Sequence, residues 1–193
     1  VPSVSMLNEL KKYNFKNLVV WNRGVDTELF NPNKRDTNSK DRQLTYVGRV
    51  AIEKNIEEFL KLKGNYNKIV VGDGPELQKY INKYPEINFV GVKTGEELAK
   101  YYANADVFVF PSKTDTLGNV ILEALASGTP IAAYPVTGPI DILTDERINT
   151  LDNNLLQSVK KALKVKRVDC RNFTLKLTWD KCVKEFLEYM VNV

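Results

Sequence analysis

No histidine occurs anywhere in the 193-residue chain, and its two cysteines, Cys170 and Cys182, stand twelve positions apart with no Cys-x-x-Cys pairing. This excludes the common zinc-ligand sets and any histidine-based catalytic triad within the chain. Two isolated thiols fit a reducing cytoplasm. No apolar run approaches the roughly 20 residues that span a bilayer, and no secretory signal opens the sequence. The start, Val1-Pro2-Ser3, lacks an initiator Met, so the expectation is a piece of a longer protein. One-sided charge is also missing. The net charge is only +4, from 28 Lys and Arg against 24 Asp and Glu, and the lysines fall in short clusters such as Lys160-Lys161. A nucleic-acid binder shows a more concentrated basic face, so nucleic acid is not an expected partner. A weak attraction to anionic headgroups or phosphates is compatible with this charge.

What the chain does have is alternation. Short apolar runs at Leu18 to Trp21, Gln43 to Val47, Lys68 to Val71, Ile87 to Val90, Val107 to Phe110 and Pro130 to Tyr134 are β-branched or aromatic, and Gly, Pro or Asn bounds them. Between them, Ile56-Phe59-Leu60, Leu77-Tyr80-Ile81, Leu98-Tyr101-Tyr102 and Val120-Ile121-Ala124-Leu125 repeat at helical spacing. The pattern predicts a doubly wound α/β domain with a parallel, Rossmann-like sheet over about residues 16–165. Met6 to Tyr13 forms a predicted helix capped by Ser3 or Ser5, and residues 31–42 a polar loop. Beyond Leu151 the pattern is helical, at Leu155 to Val165 and Trp179 to Tyr189.

Ligands of open parallel sheets sit at the carboxyl ends of the strands. After Tyr46-Val47 comes Gly48-Arg49, with Lys54 a few residues on. Two cations at one strand end suit a diphosphate, though an ordinary loop with two exposed cations would look the same. After the strand at residues 68–71, Gly72-Asp73-Gly74-Pro75 either lets a ligand approach the backbone or makes a plain tight turn. The strongest signal follows the fifth predicted strand, where Asp115 and Glu123 lie eight apart with Gly118-Asn119 between them at a helix start. Amides of Gly118, Asn119 and Val120 would form an anion site there, aided by the helix dipole. Glu123 beside an apolar face needs a reason, which two ribose hydroxyls would supply. The plainer alternative is an exposed helix glutamate. Val136-Thr137-Gly138-Pro139 opens the next helix near the same cleft.

Taken in order, these segments resemble the C-terminal domain of the GT-B glycosyltransferases of family 4, which are retaining and use nucleotide sugars. The similarity runs through Asn22-Arg23-Gly24-Val25-Asp26 with Phe30-Asn31-Pro32, then Tyr46-Val47-Gly48-Arg49 with Glu53-Lys54-Asn55, Gly72-Asp73-Gly74-Pro75, and the Asp115-to-Glu123 segment. It departs at Asp115, where the family most often has glutamate.

The resemblance implies a hexosyl transfer of mannosyl or glucosyl type from a UDP- or GDP-linked sugar, with retention and with no metal or other cofactor. It implies that Arg49 and Lys54 hold the diphosphate, Gly48, Gly72 and Gly74 shape the donor site, amides of Gly118, Asn119 and Val120 meet phosphate, Asp115 lies near the sugar, and Glu123 holds the ribose. It also implies a two-domain enzyme. Residues 1–15 are then the tail of an N-terminal, acceptor-binding domain, and residues 166–193 helices that pack back on it, leaving Trp179, Phe186 and Leu187 partly uncovered. Alone, the chain would bind donor and turn over little. The expected setting is cytoplasmic and peripheral to the inner face of a membrane, with a lipid or saccharide acceptor. Rival readings are a nucleotide-sugar epimerase or sugar phosphorylase of the same fold, and a nucleotide-binding interaction module without activity.

Overall fold

The computed structural model describes residues 1–36, 42–115 and 118–191. Five strands form its sheet: β1 (Gln43–Val47), β2 (Asn67–Val71), β3 (Asn88–Phe89), β4 (Val107–Phe110) and β5 (Ile131–Ala133). All neighbours pair in parallel, in the order β3-β2-β1-β4-β5. The doubly wound sheet expected from the alternation is therefore present.

Period-2 side-chain alternation explains why these runs are apolar throughout. Phe108 and Phe110 of β4 join one core cluster, while Val107 and Val109 join the other. Ile131 and Ala133 of β5 face with the phenylalanines, and Ala132 faces the opposite way. Helices cover both faces: α2 (Ile56–Leu60), α3 (Leu77–Lys83), α4 (Gly95–Asn104), α5 (Asn119–Ala126), α6 (Pro139–Ile142) and α7 (Leu155–Ala162). Five of the eight residues of α5 are buried, so this helix is held rigidly against the sheet.

The strand order places the site. The chain runs outward from β1 through β2 to β3, then crosses back to lay β4 on the other side of β1. The loops after β1 and β4 therefore diverge, opening the crevice where ligands of such sheets bind.

Two expectations need correction. Leu18 to Trp21 is not a strand: Trp21 N–H donates to Val1 O, and the indole Nε1 donates to Cys182 O. Its Trp21 serves the C-terminal helix α9 (Trp179–Val191), with the indole ring 4.8 Å from that of Phe186, while Val19 is exposed. The β4 strand is accordingly the fourth of the sheet, not the fifth. A further helix, α8 (Arg167–Thr174), precedes α9 within the stretch 166–193 expected to be helical, where the sequence pattern sets no bounds for it. The N-terminal helix α1 (Val4–Lys12) is capped by Ser3, whose Oγ accepts from Met6 N. Of the predicted loop at 31–42, Pro32–Lys34 is a 3-10 turn, and residues 37–41 lie outside the described residues.

Candidate functional site

At the carboxyl ends of β1 and β4 lies a cavity of about 380 Å³. The β1 loop contributes Gly48, Arg49 and Lys54, the β4 loop Ser112 and Asp115, and the start of α5 Gly118, Asn119 and Val120. Seven of the residues singled out by the sequence thus converge on one space, with Ser112 as an addition. Thr116 and Leu117, between Asp115 and Gly118, lie outside the described residues.

Each wall has a local cause. Gly118 takes a φ of 75° to turn the chain into α5, and among the described residues no side chain caps that helix. Its first amides are left to face the cavity, where the helix dipole favours an anion. Lys54 ends a 3-10 turn whose next residue, Asn55, adopts the left-handed conformation at φ 52°. The amide Nδ2 of Asn55 donates to Pro111 O (3.0 Å), tying the β1 loop to the β4 loop. Lys54 Nζ then reaches Asp115 Oδ1 at 2.5 Å. Arg49 is looser, its side chain 64% exposed and 3.6 Å from Glu53, a surface pair of little energetic weight.

Gly72 and Gly74 do not line the cavity; they let two loops interlock behind it. Gly48 N–H donates to Val71 O, Val50 N–H to Asp73 O, and Glu76 N–H to Val50 O. A Cβ on Gly72 would overlap Gly48 O, and one on Gly74 would overlap Val50 O. Their contribution is to seat the segment that carries Arg49.

Glu123 also stands apart from the cavity lining. It lies one turn into α5, facing α4, where the buried Tyr102 hydroxyl donates to its Oε2 (2.8 Å). Burial raises its pKa, with the Tyr102 bond opposing the rise. The ionised carboxylate is therefore held at a cost in the empty domain, and that cost is smallest at low pH, where the group is protonated. Glu123→Gln keeps an acceptor for Tyr102 but removes the charge. It is expected to raise the melting temperature of the ligand-free chain by about 2–4 °C, corresponding to about 1 kcal/mol. If Glu123 holds ribose, the same variant shows a smaller stabilisation by nucleotide in a thermal melt.

Three cavity residues escaped the sequence reading. Tyr46, on β1, donates its hydroxyl to Arg49 O (2.7 Å) and so fixes the loop beneath the arginine. Burial keeps this phenol protonated, with Asp115 and Glu53 adding to the effect. The signal was available, since Tyr46 places a polar tip at the end of a strand, next to Gly48-Arg49. Ser112 carries a buried Oγ without a partner among the described residues. Arg23 borders the cavity from the segment before α2. It belongs to a stretch quoted for resemblance, but nothing in its local pattern marked it as part of this site.

A family model described as glycosyl transferases group 1 matches residues 28–166, well over half of the chain. The chain belongs to this family. The GDP-mannose-dependent alpha-mannosyltransferase of Corynebacterium glutamicum is 36% identical over 160 residues, covering 78% of this chain and 38% of that protein. The chain spans well under half the length of this relative. Among solved structures, sucrose-phosphate synthase from Thermosynechococcus elongatus superposes with a TM-score of 0.87 at 23% identity, over 100% of this chain and 57% of its own. The Anabaena protein HepE, solved in complex with UDP and glucose, gives a TM-score of 0.72 at 15% identity, over 91% of this chain and 57% of its own. At such identities the likeness establishes the fold: the Rossmann-like sheet belongs with the GT-B glycosyltransferases. Among the described residues, no helix is long and apolar enough to cross a membrane.

Proposed function

We propose that this chain is the donor-binding half of a retaining, metal-independent family 4 glycosyltransferase, taking a hexose from a UDP- or GDP-linked sugar. One observation carries the reading: Arg49 and Lys54 on one wall of the cavity face the uncapped start of α5 on the other. Cations and helix amides across one cleft suit a diphosphate. As the sugar departs, negative charge grows on that diphosphate, and fixed donors aimed at it lower the barrier. Asp115, at the cavity wall, would meet sugar hydroxyls, and Glu123 the ribose. The Corynebacterium relative's name favours GDP and a mannosyl group over the alternatives. Epimerase, phosphorylase and inactive-module readings gain no support from the relatives' names.

The acceptor belongs to a second domain in this reading. Trp179, Val183, Leu187 and Met190 repeat along one face of α9, and all four are exposed. An apolar stripe of that length is a surface for packing, here against the N-terminal domain of which residues 1–15 are the tail.

Calorimetric titration with GDP, GDP-mannose, UDP and UDP-glucose tests the donor site. At least one nucleotide sugar is expected to bind, unaffected by EDTA. Arg49→Ala and Lys54→Ala are each expected to weaken it about ten- to hundredfold, the range for a lost charge-assisted hydrogen bond. Binding unchanged in both variants would exclude this cavity as the diphosphate site.

A further inference from the structure

Lys54 faces two incompatible demands. In the empty domain its Nζ is held by Asp115 Oδ1 at 2.5 Å, with the side chains only 29% and 22% exposed. The other carboxylate oxygen, Asp115 Oδ2, is buried and has no partner among the described residues. A buried carboxylate satisfied on one oxygen alone is expensive, and a hydroxyl donor at Oδ2 would relieve it. A diphosphate in the cavity would compete with Asp115 for the same ammonium. Asn55, tied to Pro111 O, keeps the two loops together whichever anion the ammonium faces.

We propose that Asp115 is a specificity-determining residue that works through an ion-pair exchange: diphosphate draws Lys54 away, and the released carboxylate accepts hydroxyls of the sugar. This deepens the donor reading above and rests on it. A bare nucleoside diphosphate must break the Lys54–Asp115 pair and leaves the carboxylate with no hydroxyl to replace the ammonium. A nucleotide sugar breaks the same pair and supplies the replacement. The exchange therefore favours the intact donor over its spent nucleotide, a bias that helps the product nucleotide to leave. It also gives Asp115 a task for which glutamate differs, because the carboxyl group's reach decides whether one acid can serve both the lysine and the sugar.

The test uses inorganic pyrophosphate, GDP and GDP-mannose (or the UDP pair, whichever the wild-type chain binds), titrated into wild type, Asp115→Asn, Lys54→Met and the double variant. Asp115→Asn is expected to bind pyrophosphate about three- to tenfold more tightly, because Lys54 is no longer engaged. In the Lys54→Met background that gain should shrink to less than about twofold, a coupling that a double-mutant cycle isolates. The preference for nucleotide sugar over nucleoside diphosphate should fall about tenfold in Asp115→Asn, the cost of one lost charge-assisted bond. Asp115→Ala, with no amide to substitute for the carboxylate, should change in the same directions.

A gain of equal size with and without Lys54 would mean simple removal of negative charge and would overturn the exchange. Unaltered pyrophosphate affinity in Asp115→Asn would overturn it as well, while leaving the donor reading intact. Failure of every variant and of wild type to bind any of the probes would overturn the donor reading itself, and the exchange with it.

Discussion

Gly72→Ala is expected to lower the melting temperature by roughly 10 °C and to abolish nucleotide binding at the concentrations that saturate wild type. The two losses share a cause. Gly72 adopts φ 135°, where L side chains are strained, and its Cβ would overlap the carbonyl oxygen of Gly48. That carbonyl belongs to the backbone, so no side-chain rotation relieves the clash. The β1 loop has to move, and it carries Arg49 at its next residue. Gly48 N–H also donates to Val71 O, so the displaced loop pulls on the end of β2. The control is Gly91→Ala. Gly91 also has a positive φ, 72°, but a Cβ there meets nothing within 4 Å. It should cost about 1 kcal/mol of conformational strain alone and leave nucleotide binding intact. Thermal melts by circular dichroism, paired with titrations, separate the variants. A Gly72→Ala protein as stable and as competent as Gly91→Ala would show that the interlocked loops do not support the site.

Arg167→Ala is expected to destabilise the fold by about 3 kcal/mol, seen as a drop of about 6–12 °C in melting temperature. Arg167 donates Nη1 to Ala105 O and Nη2 to Ala103 O, each at 2.7 Å, and Nη2 also reaches Ser127 O and Thr129 Oγ1. Those oxygens lie at and just beyond the C-terminal ends of α4 and α5, where carbonyls lack helical partners and the dipole favours a cation. Burial draws the guanidinium down to about 10, with Arg35 adding to the effect, yet it stays charged at neutral pH. Truncation therefore removes four bonds at once, leaving Ala103 O and Ala105 O to the Arg35 guanidinium alone and taking the donor from Ser127 O. Arg167→Lys should recover only part of the loss, since one ammonium cannot fork between two helix ends. The α5 helix carries the anion-facing amides at its other end, so a measurable fall in nucleotide affinity should accompany the melt. A melting temperature within about 2 °C of wild type would contradict this assignment.

Much of this architecture was visible in the residues because β1, β2, β4 and β5 are short runs that bury side chains on both faces, as strands of a parallel sheet covered on both sides do. The cavity-lining cluster was visible too, since Gly48-Arg49, Lys54, Asp115 and Gly118 to Val120 all follow strand ends. What misled was local likeness. Leu18 to Trp21 has the composition of a strand, yet its backbone and indole turn to Val1 and α9. The α8 segment, Arg167–Thr174, offered only a short apolar face, Cys170 and Phe173, and docks through arginines as well: Arg171 alone bonds Phe30 O, Ala126 O and Thr27 O. Composition-based periodicity has no means of detecting a helix anchored that way. For Gly72 and Gly74 the sequence left open a ligand's approach or a plain tight turn, because close backbone approach is what glycine permits, and in the structure another loop of the same chain makes that approach. Glu123 was placed by its spacing from Asp115, but spacing could not disclose that Tyr102 stands beside it.

The central claim is that one cleft, between the loops after β1 and β4, holds the diphosphate of a nucleotide sugar. A crystal structure of the chain with the nucleoside diphosphate that binds tests it most directly. The account expects phosphate oxygens within hydrogen-bonding distance of Arg49, Lys54 and the amides of Gly118 to Val120, with Lys54 withdrawn from Asp115. Nucleotide density at any other surface, with this cleft empty at saturating ligand, would contradict it.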